Sequence, residues 1–237
     1  MTSLSVIIST YNEANSIGNT LNKLITYDNI DEIVIVDDNS SDGTIEIIKN
    51  FKNQKIKLYV RKDTKGFSSA FIYGIIVSNG THILRFDADM YSSIDLFIDA
   101  YNKNNEIDCI IFSRYVNNGT DERSNYRKIP SLLINKLCQF ILSKRIKDYT
   151  SCIMIFKREL LRDIQISNSQ YANFIIKFIF DIIYKKKTFK EIGFKQKKET
   201  EFNSKSAASF FVFLKNGTFY FITILKCFLI RILYILK

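Results

Sequence analysis

Short apolar runs alternate with amphipathic stretches through the first half of the chain. The runs are four to six residues long and lie between polar residues, which is typical of strands buried on both faces of a sheet. The stretches between them carry apolar residues at helical spacing, as at Ile17, Leu21 and Leu24. This alternation predicts βαβ units and an α/β fold with a mainly parallel sheet flanked by helices. The predicted strands cover residues 4–9, 33–36, 56–60, 81–86 and 109–112.

The second half follows a less regular pattern. It contains no internal repeat, and no linker divides the chain before residue 205, so we expect one globular domain over residues 1–205. The predicted elements are, in order, a polar loop (113–128), an amphipathic helix (129–141), a further strand (151–156), a very apolar helix (171–184) and a basic segment (185–205).

The tail over residues 206–237 is rich in Phe, Ile, Leu and Tyr. Lys215, Lys226 and Lys237 interrupt it at intervals of eleven residues, almost three helical turns, and therefore share one helix face. Charges near its centre make a membrane-spanning helix unfavourable. We expect a separate amphipathic helix that lies on a membrane surface; the alternative is a helix packed on the core of the domain.

The charge balance narrows the class of partner. The chain has 237 residues with 34 Lys and Arg against 24 Asp and Glu, a net charge of +10. This excess favours nucleic acid, an anionic membrane surface or phosphate-bearing substrates. The four cysteines form no C-x-x-C pair and no signal-peptide pattern opens the sequence. We therefore expect buried free thiols in a reducing compartment, with the domain on the cytoplasmic side.

Carboxylates follow three of the first four predicted strands. Because ligands of parallel sheets bind outside the carboxyl ends of the strands, we expect these carboxylates to meet at one edge. Asp87 and Asp89 leave a buried strand two residues apart, and such a pair suits a hard divalent cation, Mg²⁺ or Mn²⁺. Alone the pair would be interpreted as solvated turn residues, but its acidic neighbours favour the metal. Those neighbours are Tyr11-Asn12-Glu13 and the run from Asp37 to Thr44.

Glycine-rich phosphate loops are absent from the sequence, which contains neither G-x-G-x-x-G nor G-x-x-x-x-G-K-[ST]. A diphosphate bound at this edge would therefore need a cation to hold it. The same cation would neutralise the charge that builds on a departing nucleoside diphosphate. This absence strengthens the metal interpretation of Asp87 and Asp89.

Four motifs, in order and spacing, resemble those of family 2 glycosyltransferases with the Rossmann-like GT-A fold. The resemblance spans about residues 4–115 and implies metal-assisted transfer of a hexose from a nucleotide sugar of the GDP-mannose or UDP-glucose type. It implies that Asp87, Ala88 and Asp89 lie at the metal and diphosphate, and that Thr10, Tyr11, Glu13, Asp37 and Asp38 lie around the nucleotide. The motifs are residues 9–13, residues 36–44, Lys65-Gly66 with Ala70 and Gly74, and residues 87–89.

Later motifs are similar to those of dolichyl-phosphate mannosyltransferases and bacterial polyprenyl-phosphate glycosyltransferases. The similarity implies a polyprenyl-phosphate acceptor at the cytoplasmic face of a membrane. By position, Arg114, Arg127 and Lys205 inherit the contacts to phosphate. The chain departs from the common family pattern at Tyr91, where a glutamine is usual. The motifs are residues 112–116, 148–151, 191–192 and 204–205.

The residue types also favour a phosphate acceptor. A phosphate monoester is ionised near neutral pH and needs cations rather than a general base. The single histidine, His82, begins a predicted strand and is expected to be structural. We expect in-line displacement with inversion, in which Asp89 and Arg114 are catalytic and Asp148 is the best base if the acceptor is a hydroxyl.

Two alternatives stay open. The chain could be a family 2 enzyme that acts on a hydroxyl of a glycan or lipopolysaccharide. It could also be a basic nucleic-acid-binding module, although it has no recognition motif of that class and its basic residues are mixed with apolar runs. The oligomeric state does not follow from the sequence.

Overall fold

A seven-stranded sheet forms the centre of the computed structural model, which describes residues 2–168, 172–197 and 210–235. The strands are β1 (Leu4–Thr10), β2 (Glu32–Asp37), β3 (Ile56–Val60), β4 (His82–Phe86), β5 (Cys109–Ser113), β6 (Thr120–Asp121), β7 (Met154–Lys157), β8 (Phe189–Gly193) and β9 (Lys195–Gln196). The order in the sheet is β3-β2-β1-β4-β7-β5-β8. Neighbours are parallel except at β7, which runs antiparallel between β4 and β5. The mainly parallel α/β sheet expected from the sequence is confirmed.

The five strands predicted in the first half appear with their ends shifted by at most one residue. Their side chains alternate between two apolar layers, as the twofold period of a strand requires. In β1, Val6 and Ile8 enter one layer and Ile7 enters the other. Because both layers are apolar, these strands appear in the sequence as continuous hydrophobic runs.

Helices cover both faces of the sheet. The layer that contains Val6 is closed by three helices of the first half, and the layer that contains Ile7 by the other four. The first set is α1 (Ala14–Leu24), α2 (Thr44–Asn50) and α4 (Ile94–Asn104); the second is α3 (Phe67–Val77), α5 (Asn125–Ile141), α6 (Phe174–Tyr184) and α7 (Phe210–Ile235).

The basic segment after α6 contains two strands that the hydrophobic pattern does not predict. β8 adds to the far edge of the sheet beside β5, and β9 pairs with β6 in a small second sheet. Gly193 ends β8 under a crossing loop, where a Cβ atom would lie 2.2 Å from the carbonyl oxygen of Asn117. Close backbone approach, rather than an apolar period, fixes this part of the chain.

Helix α7 packs against α5 and α6, and its own residues Ile224 and Cys227 are fully buried on the face toward the domain. This is the core-packed arrangement named as the alternative for the tail. Lys226 is exposed, whereas the side chain of residue 215 and residue 237 lie outside the described residues. In the part of the chain that the structure describes, no helix combines the length and apolar character required to cross a bilayer.

The expectations for the cysteines and the histidine are confirmed. All four cysteines are buried free thiols. His82 is buried at the start of β4, where its ring nitrogens lie 3.1 Å from Thr81 Oγ1 and 3.0 Å from the carbonyl oxygen of Asn105. Burial lowers the pKa of His82, which suits a neutral structural ring.

A buried ion pair joins the end of β5 to the loop that leads into β7. The guanidinium of Arg114 donates to both oxygens of Asp148, from Nε at 2.8 Å and from Nη2 at 2.7 Å. The side chains are 2% and 0% exposed, respectively. Glu191 of β8 accepts hydrogen bonds from the backbone nitrogens of Lys147 and Asp148 and so holds the same loop from the other side. These contacts fasten the second half of the chain to the sheet.

Asp148→Asn should lower the free energy of unfolding by about 3 kcal/mol or more at neutral pH, because it leaves a buried guanidinium without its counter-charge. Burial opposes ionisation of Asp148, but the charge and hydrogen bonds of Arg114 lower the pKa of that carboxyl in the fold. The stabilising effect of ionised Asp148 is therefore present above its pKa in the unfolded chain, about 3.9. The effect is lost as the pH falls through the lower pKa that Asp148 has in the fold. The difference between wild type and variant should shrink in acid.

Urea titrations at several pH values measure this difference. Asp99→Asn is the matched control, since it breaks the exposed Lys103–Asp99 pair and should change stability little. Equal stability of Asp148→Asn and wild type at neutral pH would contradict a stabilising role for the buried pair.

Candidate active site

The carboxyl ends of β1, β2, β4 and β5 meet at one edge of the sheet, as their parallel pairing requires. Because β7 is antiparallel, the segment that enters it, including Asp148, comes to the same edge. The three acidic clusters found in the sequence therefore lie along a single edge. This is the edge at which α/β proteins bind their ligands.

Asp37 joins the ends of β1 and β2. Its Oδ2 accepts hydrogen bonds of 2.6 Å from the hydroxyls of Thr10 and Ser40, and its Oδ1 accepts one of 2.7 Å from the backbone nitrogen of Ser40. Asp37 is fully buried and Thr10 nearly so. These bonds shape the floor of the edge and occupy the carboxylate within the protein.

Asp38 is held by a cation that the motif analysis did not identify. Arg61, just after β3, donates from Nε at 2.8 Å and from Nη2 at 2.5 Å to Asp38 Oδ1. The other oxygen accepts the backbone N–H of Gly66 at 2.9 Å, and Gly66 takes a positive φ of 144° at the start of α3. Asp38 thus orients the loop between β3 and α3, and the glycine permits its backbone conformation.

Tyr11 and Glu13 lie where the chain leaves β1. The ring of Tyr11 is 37% exposed, and the ammonium of Lys65 lies 4.7 Å from its centroid. The backbone nitrogen of Glu13 donates to Thr44 Oγ1 at 2.7 Å, which ties the start of α1 to the start of α2. An exposed aromatic face beside a cation is a suitable surface for a planar, anionic ligand.

Asp87 is paired with Arg85, two residues earlier on the same face of β4. Arg85 donates from Nη1 to Oδ2 at 3.1 Å and from Nη2 to Oδ1 at 2.5 Å, so both carboxylate oxygens of Asp87 accept. Arg85 is only 2% exposed. It also donates to the carbonyl oxygen of Cys152 and lies 4.3 Å from the ring centroid of Phe67. The first aspartate of the pair is therefore already held in an ion pair within the protein.

Asp89 is an acid at this edge whose pKa is strongly raised. Burial, reinforced by the charges of Asp87 and Glu13, raises the pKa of Asp89 to about 7. Ala88, between the two aspartates, is buried, and its carbonyl oxygen accepts a hydrogen bond from Thr20 of α1, which fixes the loop. A carboxylate in this position gains from a bound cation, because the cation removes the repulsion that opposes its charge.

The residues present fit a divalent cation held largely by its ligand. Within the described residues, no cluster of three or more acidic, histidine or cysteine side chains has the geometry of a metal site. Asp89, with Asp87 beside it, would supply one or two oxygens, and a diphosphate and water would supply the rest. Mg²⁺ is commonly bound in this way, through few carboxylates and substrate phosphates.

The structure places Arg114 and Asp148 together in a buried ion pair, and the roles expected for them stay predictions. Besides its bonds to Asp148, Arg114 donates to Thr150 Oγ1 at 2.6 Å and is 3% exposed, so the guanidinium presents no open face to a phosphate. Asp148 is fully buried, and Arg114 lowers its pKa, which makes it inaccessible and a poor base. In this structure the contacts of the pair link parts of the fold to one another.

The other predicted phosphate ligands have different outcomes. Arg127 lies half-buried in the first turn of α5, and its contact to a phosphate stays a prediction. Lys205 lies outside the described residues. Close to α5, Arg123 pairs with Asp121. The guanidinium donates to both carboxylate oxygens of Asp121, from Nε at 2.8 Å and from Nη2 at 2.7 Å. Burial alone would raise the pKa of Asp121, but Arg123 helps lower that pKa to about 2.

Sequence reasoning missed Arg61 and Arg85 as partners of the acidic motifs. Arg85 could have been found, because residues two apart in a strand lie on the same face and an arginine inside a buried strand needs a counter-ion. Arg61 carries no such local signal. It meets Asp38 only because β2 and β3 are neighbours in the sheet.

Comparison with known proteins places this geometry in a family. A dolichol-phosphate mannosyltransferase of Pyrococcus furiosus is 30% identical over 177 residues, which cover 69% of this chain and 49% of that protein. The chain thus spans about half the length of this relative.

Solved structures show the same architecture. Glucosyl-3-phosphoglycerate synthase from Mycobacterium tuberculosis, in complex with UDP, superposes with a TM-score of 0.72 at 12% identity and covers 95% of this chain and 80% of its own. The same enzyme with Mn²⁺, UDP and phosphoglyceric acid gives a TM-score of 0.64 at 13% identity, with coverage of 91% and 78%. At these identities the likeness establishes the GT-A fold alone.

The family model described as glycosyl transferase family 2 matches residues 5–165, which run from β1 through β7 and include every acid of the candidate site. The chain belongs to glycosyltransferase family 2.

Proposed function

We propose that the chain transfers a hexose from a nucleotide sugar, of the GDP-mannose or UDP-glucose type, to a polyprenyl phosphate with inversion. Asp89 carries this proposal: it is a half-buried carboxylate with a raised pKa at the ligand-binding edge of a family 2 domain. A bound cation would favour the charged form of such an acid, and a nucleotide-sugar diphosphate arrives with one.

The donor would lie along the edge from β2 to β4. Tyr11 offers its exposed ring to the nucleotide, and Lys65 above it adds a positive charge. Asp37, Asp38 and Thr10 shape the nucleotide side through the loops that they fix, while Glu13 and Asp89 face the charged part. A divalent cation, Mg²⁺ or Mn²⁺, would supply positive charge to the diphosphate as it leaves.

The transfer itself needs no general base. An anionic oxygen of the acceptor phosphate attacks the anomeric carbon, the bond from that carbon to the donor diphosphate breaks, and the nucleoside diphosphate leaves with the bonding electrons. Attack from the opposite side inverts the configuration. A hydroxyl acceptor would have to lose a proton, and the burial of Asp148 removes the base predicted for that reaction. This favours phosphate over a glycan hydroxyl.

The lipid character of the acceptor rests on two observations. The relative from P. furiosus is named for a dolichol phosphate. Residues 123–147, which border the site, contain Arg and Lys residues but no Asp or Glu, so an anionic acceptor meets no repulsion from this segment. Such an acceptor would place the enzyme at the cytoplasmic face of a membrane.

Asp89→Asn should reduce transfer about 100-fold or more, because it removes the carboxylate that faces the donor charge. The same change should abolish the rise in melting temperature that Mn²⁺ and a nucleotide sugar give the wild type, since only a bound ligand stabilises the fold by mass action. Thermal-shift and transfer assays with UDP-glucose and GDP-mannose measure both. Asp95→Asn, which changes an exposed carboxylate of α4, is the control and should retain both signals. Undiminished turnover of Asp89→Asn would contradict the proposal.

Radiolabelled donor supplied with alternative acceptors tests the second substrate. We expect product with a short, water-dispersible polyprenyl phosphate and none with the corresponding polyprenol, because the alcohol lacks the ionised oxygen. Product with the alcohol or with a sugar hydroxyl, and none with the phosphate, would replace the lipid-phosphate acceptor by a hydroxyl acceptor. Retention on nucleic acid without any response to nucleotide sugars would instead support the binding-module alternative.

A further inference from the structure

Two neighbouring helices expose large apolar side chains in continuous stripes. On α5 the stripe contains Ile129, Leu133 and Phe140, which are 54%, 65% and 81% exposed. These positions recur at intervals of four and seven residues, so they lie on one face of the helix, opposite the buried Asn135 and Cys138. A soluble surface does not normally gather such residues.

The exposed face of α7 is largely apolar over residues 221–233. Seven large apolar side chains are between 38% and 62% exposed, whereas Ile224 and Cys227 on the opposite face are buried. The seven are Phe221, Ile222, Leu225, Phe228, Leu229, Ile232 and Leu233. The buried face already packs on the domain, so the exposed face is not needed to close the core.

The two stripes belong to one surface. Helices α5 and α7 pack against each other, and the guanidinium of Arg231 donates to the carbonyl oxygen of Ile141 at the end of α5. We define this face, formed by the exposed residues of α5 and α7, as the α5–α7 surface. Its α5 half lies outside the tail from which a membrane helix was expected.

The charges on these helices select the partner. Neither α5 nor α7 contains a single Asp or Glu, although the chain has 24, whereas each contains three Lys or Arg residues. Lys136 and Lys226 are exposed beside the apolar stripes. A second copy of the same surface would bring like charges together, and that disfavours a dimer through this face. Apolar side chains flanked by cations, with no anion, are the pattern of a helix pair that lies in an anionic bilayer interface.

The α5–α7 surface lies on helices that contact the segment leading into β7, beside the candidate site. Asn135 of α5 donates to Thr150 Oγ1 at 3.0 Å, and the carbonyl oxygen of Cys152, two residues further on, accepts from Arg85 at 3.1 Å. We propose that the α5–α7 surface docks the enzyme in the plane of a membrane rich in anionic lipid headgroups. The inference rests on the proposed lipid-phosphate acceptor for its purpose, because docking here would bring that acceptor beside the acidic edge.

Vesicle sedimentation of the full chain tests the docking without turnover. Wild type should bind vesicles of phosphatidylcholine mixed with phosphatidylglycerol about tenfold more tightly than vesicles of phosphatidylcholine alone. Leu133→Gln combined with Leu229→Gln should weaken binding to the mixed vesicles about tenfold or more, because both changes replace apolar side chains that enter the interface. Ile76→Gln, on α3, is the matched control: it alters a side chain that is 73% exposed and should leave binding unchanged.

The outcomes separate docking from function. Absence of vesicle binding by wild type, or equal binding by the double variant, would overturn the docking surface even if short polyprenyl phosphates are still glycosylated. Binding as expected with no transfer to any phosphate acceptor would support the surface and contradict the proposed function. Concentration-dependent association of wild type that the double variant abolishes would show that the surface binds a second copy of the chain. That result would overturn the proposed membrane docking. Melting curves of both variants check that they fold.

A second and independent observation concerns Arg85. Its guanidinium occupies both oxygens of Asp87 and is itself buried, so it cannot swing away without losing its bonds and its desolvated position. A divalent cation that approaches the aspartate pair alone meets this fixed positive charge. A cation that arrives with a nucleoside diphosphate brings its own oxygens and a compensating negative charge.

We infer that Arg85 is a positioning residue that keeps free divalent cations off the Asp87–Asp89 pair, so that the cation binds together with the donor diphosphate. The inference rests on the proposed metal-assisted function. It implies an order of binding: the protein has low affinity for the metal until the nucleotide is present.

Electron paramagnetic resonance of Mn²⁺ measures metal binding directly. Wild type should bind Mn²⁺ at least about tenfold more tightly with UDP than without it. Arg85→Gln, which keeps hydrogen-bond donors but loses the charge, should bind free Mn²⁺ about tenfold more tightly than wild type. Arg85→Lys, which keeps the charge, should restore the wild-type behaviour.

Several results would overturn the role of Arg85. One is wild-type affinity for Mn²⁺ that UDP does not change, a test that needs no variant to fold. Another is free-Mn²⁺ affinity of Arg85→Gln equal to that of wild type while UDP still strengthens binding in both, which would leave the proposed function intact. Absence of Mn²⁺ binding under all conditions would contradict the metal-assisted function itself.

Discussion

Electrostatic repulsion among carboxylates gathered at one edge of a parallel sheet is the constraint that organises this structure. Parallel pairing sends the ends of β1, β2 and β4 to the same place, and each ends in acidic residues. The fold answers the repulsion differently at each position: hydroxyls bind Asp37, Arg61 binds Asp38, and Arg85 binds Asp87. Asp89 is left with a raised pKa. The candidate site is thus centred on Asp89, the position at which the fold no longer offsets the repulsion between carboxylates.

The second half of the chain uses charge for a different purpose. Arg114 and Asp148 are buried together, and Glu191 holds the backbone beside them, so three charged residues of this half serve assembly. Such a pair fixes the loop between β5 and β7 at a cost in desolvation that only complete hydrogen bonding offsets. Arg127 of α5, by contrast, is half-buried, and its contact to a phosphate stays a prediction.

The hydrophobic period was sufficient for the first five strands, because four of them are buried on both faces and appear as continuous apolar runs. It was not sufficient for β8, whose residues are half-buried or exposed at the edge of the sheet and read as a basic loop. The acidic edge followed from the direction of the strands alone. The partners of its acids did not, because the contact of Arg61 with Asp38 depends on strand order. The burial of Arg114 and Asp148 did not follow from the sequence either, because residue type does not reveal burial.

The antiparallel strand β7 has a consequence for how the chain reaches its fold. It separates β4 from β5, so neither strand can complete its hydrogen bonding until residues 154–157 arrive, more than forty positions after β5 ends. Until then β4 is an open edge that exposes unpaired backbone, and β5 has no place in the sheet. Such a sequence of pairings raises contact order and slows folding. During synthesis, the donor-binding half therefore waits for a strand encoded well beyond its own motifs before its sheet is closed.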